Sequence, residues 1–143
     1  YKNPVNKFVA GFIGSPAMHF INVKLEGGHI VANGLNLKVP EGALKVLKEK
    51  GYDGKELIFG IRPEDVNTEA AFLETFPESV VKATISVSEL LGSESHLYCQ
   101  VGDNEFIAKV AARDYLGTGE TIELGFDLNK AHFFDKETEK TVY

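Results

Sequence analysis

The chain has 143 residues, 43% of them hydrophobic, one cysteine and a formal net charge of −6: enough apolar material for one domain with a real core. The lone Cys99 excludes an internal disulfide framework and a multi-cysteine zinc site, and no apolar run approaches the roughly 20 residues of a spanning helix. Charge is uneven, with seven lysines and three acidic residues in 1–51 against eight basic and eighteen acidic residues in 52–143; without Trp and without cations interleaved with aromatics, this acidic bulk argues against a nucleic-acid surface.

In chain order, Asn3 to Pro16 is too apolar and too specific to be a free, fraying terminus, so a preceding part is expected. Pro4 to about Phe12 reads as a helix. Leu35, Leu37 and Val39 make a short strand closed by Pro40, and Glu41 to Lys50 reads as a helix with Ala43, Leu44 and Leu47 on one face and Gly51 as its stop. The strand through Phe59 ends at Pro63, which holds Arg62 extended. Its guanidinium would either pair with Glu64 and Asp65 to close the turn or serve as a docking contact. Residues 67–79 form a long connection with one helical turn at Ala70 to Leu73, suited to a surface lid or a seam.

From Val81 the period is two. Val81, Ala83, Ile85 and Val87 are expected on the buried face and Lys82, Thr84, Ser86 and Ser88 on the other. Leu97, Cys99 and Val101, then Phe106, Ala108 and Val110, then Ile122, Leu124, Phe126 and Leu128 repeat the pattern. Turn residues separate the runs at Gly27-Gly28, Asn33-Gly34, Gly92-Ser93, Gly102-Asp103-Asn104 and Gly117-Thr118-Gly119. The fold class is mainly β, a small barrel or sandwich with one or two short helices.

Chemistry is scarce. There is no G-x-x-x-x-G-K-[ST] loop, no G-x-G-x-x-G, no H-E-x-x-H and no G-x-S-x-G. His19, His29, His96 and His132 fall on separate predicted strands, and Cys99 alternates with core residues. Glu64 and Asp65 point apart on an extended chain, while Glu89 and Glu94 flank a turn, so neither pair suits acid–base work. The turn Ser88 to Ser95 instead presents carboxylates around Gly92, either as a solubilising surface or as a partner epitope.

Three motifs in order carry a resemblance: Phe8 to Pro16 followed by Met18-His19-Phe20, then Gly60-Ile61-Arg62-Pro63-Glu64-Asp65, then Glu89-Leu90-Leu91-Gly92-Ser93-Glu94. Gly119, Asp127 and His132-Phe133-Phe134-Asp135 also fit. Together they resemble the C-terminal part of the ATPase subunits of maltose-type and multiple-sugar ABC importers. The resemblance implies an OB-like, MOP-like or TOBE regulatory domain over residues 15–143, with residues 1–14 as the end of a nucleotide-binding domain and its linker.

It also implies roles. Phe8, Phe12 and Ile13 would pack on that nucleotide-binding domain. Gly60, Arg62, Pro63, Glu64 and Asp65 would form a dimer or docking edge, and Glu89, Gly92 and Glu94 the loop for a phosphotransferase-system regulatory protein. Further partners would be a second copy of the chain and, through the parent, membrane permease subunits at the cytoplasmic face of the cell membrane. ATP and Mg²⁺ would belong to the parent, which hydrolyses ATP to drive carbohydrate import; this part would hold no cofactor and hydrolyse nothing. His19 departs from the family, which has Asn there, and is expected to be a tolerated change at a surface-facing strand start. The alternative function is an oxyanion- or small-molecule-binding module, for which Arg62, Lys109 and Arg113 are the few candidate donors.

Overall fold

The computed structural model describes residues 18–111 and 116–143, and among them ten strands form two antiparallel sheets. The helix expected over Pro4 to Phe12 lies outside the described residues. The first sheet holds β1 (His19–Glu26), β2 (His29–Ala32), β3 (Leu35–Lys38), β4 (Glu56–Ile61) and β10 (His132–Asp135), in the order β10-β4-β1-β2-β3. The second holds β5 (Val66–Asn67), β6 (Val80–Leu91), β7 (Glu94–Val101), β8 (Asn104–Ala111) and β9 (Thr121–Phe126), in the order β5-β9-β6-β7-β8.

Alternation sets the inner faces. Ile21, Val23 and Leu25 of β1 are buried while Asn22, Lys24 and Glu26 are exposed, as one-sided sheets require. Both inner faces feed one core, in which aromatic rings run from sheet to sheet. Phe59 lies 5.9 Å from Phe133 and 6.3 Å from Phe126, and Phe126 lies 4.9 Å from Phe106. The Phe59–Phe126 and Phe106–Phe126 pairs are edge-to-face and the Phe59–Phe133 pair is tilted; aromatic pairs of this kind add about 0.5–1.5 kcal/mol each to what area burial supplies.

The two sheets also meet backbone to backbone at their turns. A Cβ on Gly102 would fall 2.1 Å from the Asn33 carbonyl oxygen, and one on Gly34 would fall 2.7 Å from the Gly102 nitrogen. Asn33 Nδ2 donates to Asp103 Oδ2 across the same contact at 2.6 Å. Hence Asn33-Gly34 and Gly102-Asp103 are turns whose glycines serve the neighbouring sheet as well as their own hairpin.

Helix α1 (Glu41–Glu49) closes one side, burying Ala43 and Leu47, with Glu41 in its first turn and Lys48 in its last to suit the helix dipole. Lys50 Nζ, just past it, donates to the Val142 carbonyl at 2.8 Å. The connection over residues 67–79 carries α2 (Ala70–Thr75), a short helix with no fully buried residue. The chain leaves the first sheet after β4 and crosses by the 3-10 turn Pro63–Asp65. It builds the second sheet, then returns by the turn Leu128–Lys130 to lay β10 beside β4.

One expectation fails within β6. A bulge between Ile85 and Val87 inserts an unpaired residue, so Ile85 faces Cys99 but Val87 faces Tyr98. The extra residue inverts the alternation. Val87 is therefore exposed rather than buried, and Ser88 turns inward, donating from Oγ to the Leu116 carbonyl at 2.5 Å.

Candidate functional site

The first candidate is the crossing Gly60–Asp65. Gly60 lies on the outer face of β4, beneath a small second apolar cluster of Met18, Ile58 and Phe134 with Phe20 against it. A Cβ at Gly60 would come 2.6 Å from the Met18 sulfur and 3.0 Å from the Phe134 ring. Glycine is thus a packing requirement there. Arg62 is extended before its proline (φ −88, ψ 150) and only 3% exposed.

Asp65 N–H donates to the Arg62 carbonyl at 2.9 Å, and the Asp65 carbonyl accepts Asp127 N–H at 2.9 Å. The first bond closes the outward turn, and the second ties the outward and returning crossings together. Burial pushes the Asp65 carboxyl up to about 6. Lys130, at 3.9 Å, and Arg62 oppose that rise, whereas Glu64 and Asp127 add to it. His132, beginning β10, is lowered first by burial and then by the Arg62 charge, so Arg62 stands electrostatically between Asp65 and His132.

Of the five residues expected to form an outward edge, Gly60, Arg62, Pro63 and Asp65 are buried and Glu64 alone is exposed. The motif forms the joint between the sheets, with Glu64 as its exposed residue. Arg62, the first candidate for anion binding, is committed to this joint, and Arg113 lies outside the described residues, as do Phe8, Phe12 and Ile13.

The second candidate is the β6–β7 hairpin. Gly92 takes φ +68 at its tip, and Glu89 and Glu94 stand on its two strands. Tyr98 O–H donates to Glu89 Oε1, which raises the Tyr98 pKa. Glu94 Oε1 lies 3.4 Å from His96 Nε2, close enough for attraction but without a directed hydrogen bond, so that buried nitrogen has no hydrogen-bond partner. Val87, Leu90 and Leu91 are 48%, 59% and 48% exposed. The tip is therefore amphipathic, apolar side chains beside carboxylates, a character the acidic motif alone did not disclose. The adjacent leucines before the turn glycine were the available signal.

His19 corrects a further expectation. It is half-buried, and its Nε2 accepts the Ile107 backbone N–H at 3.1 Å while its ring stands edge-on to Phe106 at 6.0 Å. Ile107 lies on β8, an outer strand of the second sheet, so His19 fastens β1 to it rather than facing solvent. Burial lowers the His19 pKa, favouring the neutral ring that this bond requires. Cys99 is buried with its thiol pushed up to about 12 by burial, an unreactive core position.

Comparison with known proteins agrees with this geometry. Residues 14–66 match the family model described as the MalK OB fold domain, and residues 59–134 match the TOBE domain. The chain is 52% identical to the multiple sugar-binding transport ATP-binding protein MsmK of Streptococcus mutans over 143 residues, 99% of the chain and 38% of MsmK. It is 52% identical to the oligosaccharides import ATP-binding protein MsmX of Bacillus subtilis, over 97% of the chain and 38% of MsmX. The chain thus spans under two fifths of these relatives. Among solved structures, the cytoplasmic molybdate-binding protein ModG, with molybdate bound, superposes with a TM-score of 0.62 at 13% identity, over 85% of this chain and 97% of that one. At that identity the likeness concerns the fold.

Proposed function

This chain belongs to the TOBE domain family, with a MalK-type OB fold in its first half, and from that premise we propose that it is the regulatory and dimerisation domain of the ATP-binding subunit of a sugar ABC importer. The observation that carries the proposal is the 52% identity to MsmK across 99% of the chain. In the parent, ATP and Mg²⁺ are handled by a nucleotide-binding domain, membrane permease subunits receive the work, and the complex sits at the cytoplasmic face. This domain contributes no catalytic group and no cofactor.

Two copies meeting through this domain would form a self-complementary contact. They would hold the two nucleotide-binding domains at high effective concentration while these open and close. Glu64 is the exposed residue of the crossing that can take part in such a contact. The hairpin of Glu89, Gly92 and Glu94, with Leu90 and Leu91 exposed beside them, is the surface for a regulatory protein of the phosphotransferase type. The oxyanion-binding alternative is not favoured, because Arg62 is buried and the likeness to ModG is one of fold.

A chimera tests the proposal. The matching segment of Bacillus subtilis MsmX is replaced by this chain in a strain lacking MsmX, and oligosaccharide uptake and ATPase activity are measured. Restored uptake, with no ATP hydrolysis by the chain alone, is the expected result. A chimera that accumulates as folded protein yet restores no uptake would overturn it.

A further inference from the structure

Where β3 runs out and β9 turns into the return crossing, the surface opens into a cleft of about 220 Å³. Val39, Pro40 and Leu128 wall it, and Phe126, fully buried, lies behind them. The outer wall is α2 with the residue that ends it: the rings of Phe72 and of Phe76, just past the helix, stand 4.9 Å apart. This helix is seated on Gly125, where a Cβ would meet the Phe72 ring at 2.6 Å and Leu73 at 2.9 Å. Phe76 is nevertheless 38% exposed, an aromatic lip that the core does not use.

Charge around the cleft is acidic on balance. Among the described residues lining it are three carboxylates, Glu41, Glu78 and Asp127, and one cation, Lys38; Lys130 lies 3.8 Å from Asp127, so Glu41 and Glu78 are the carboxylates that set the excess. Such a rim repels phosphate headgroups and oxyanions and favours a cationic visitor. Size narrows the visitor further. The cleft is smaller than the roughly 300–1,000 Å³ of sites for whole small molecules, but suits one large side chain serving as an anchor inside a polar ring.

We propose that this cleft is a socket for a single apolar side chain of a partner polypeptide whose neighbouring residues are lysine or arginine. Both sheets contribute to it, Val39 from the end of one and Phe126 from the other, so an occupant touches both halves of the fold at their seam. The inference goes beyond the transporter assignment and does not depend on it, since it is tested on the 143-residue chain alone.

The ¹⁵N-labelled chain is titrated with the acetylated and amidated peptide Gly-Lys-Arg-Phe-Lys-Arg-Gly. Two controls accompany it, one with alanine in place of phenylalanine and one with glutamates in place of the four basic residues. Amide shifts gathered around Val39, Phe76 and Leu128 with the first peptide, and lost with both controls, are expected. Phe76→Ala should weaken binding about five- to tenfold. Glu41→Gln and Glu78→Gln should each weaken it about two- to fivefold. Both carboxylates are exposed, so these variants keep the test decisive should Phe76→Ala melt early. No shifts at millimolar peptide, equal binding of either control, or shifts gathering on the β6–β7 hairpin would overturn the proposal.

Discussion

At the residue scale, two titratable groups carry opposite pH signatures. The His19 pKa is lowered, so its contribution is present above the unfolded value of about 6.5 and is lost as pH falls below it. His19→Ala should cost about 1 kcal/mol at pH 7.5, because the Ile107 N–H loses its acceptor. Hydrogen exchange at the Ile107 amide should quicken with it, and an unchanged exchange rate would remove His19 as a fastener. Asp65 behaves in reverse. Its folded pKa is raised to about 6, so its favourable share is complete below the unfolded value of about 3.9 and is lost as pH rises through 6. Thermal melts from pH 4 to 7 should therefore show the parent chain losing stability relative to Asp65→Asn as pH rises. Parallel melting curves would contradict the buried placement of that carboxyl.

At the scale of elements, turns and bulges decide more than strands do. Gly102→Ala places a methyl 2.1 Å from a backbone oxygen at φ +58, which only backbone movement relieves; a loss above ~2 kcal/mol, seen as a melting point lower by several degrees, is expected. Leu90→Ser with Leu91→Ser should by contrast stay within about 0.5 kcal/mol, since both side chains are exposed. Strand positions were legible because period-two alternation is set by one buried face, and the turns because their glycines adopt φ values other residues resist. The reversal after Ile85 was not legible. A bulge adds one residue without changing composition, so the sequence reads on as Val87 inward while the chain has already turned Ser88 inward. The burial of Arg62 was not legible for a related reason: a proline fixes the direction of the backbone but says nothing of what packs over the side chain, so the sequence left an internal pair and a docking contact both open. The role of His19 depends on β8, nearly ninety residues away, and no local pattern reports that.

At the scale of the whole molecule, the crossing at Pro63–Asp65 and the return at Leu128–Lys130 make two sheets share one core. Calorimetry should accordingly show one transition with equal calorimetric and van't Hoff enthalpies; two separated peaks would mean the halves melt independently. The return of the chain has a further consequence. Met18 precedes β1, and Tyr143 pairs back onto Phe133 of β10, while β1 and β10 flank the same β4 at its Gly60 end. The two points are separated by about three strand spacings, ~15 Å, which a bridge of about five residues spans. The described unit is thus almost a closed ring of polypeptide. It should tolerate circular permutation, with Met18 and Tyr143 joined and the chain reopened at Gly92-Ser93, and it could sit as an insert within a loop of an unrelated host without its core knowing which strand was made first.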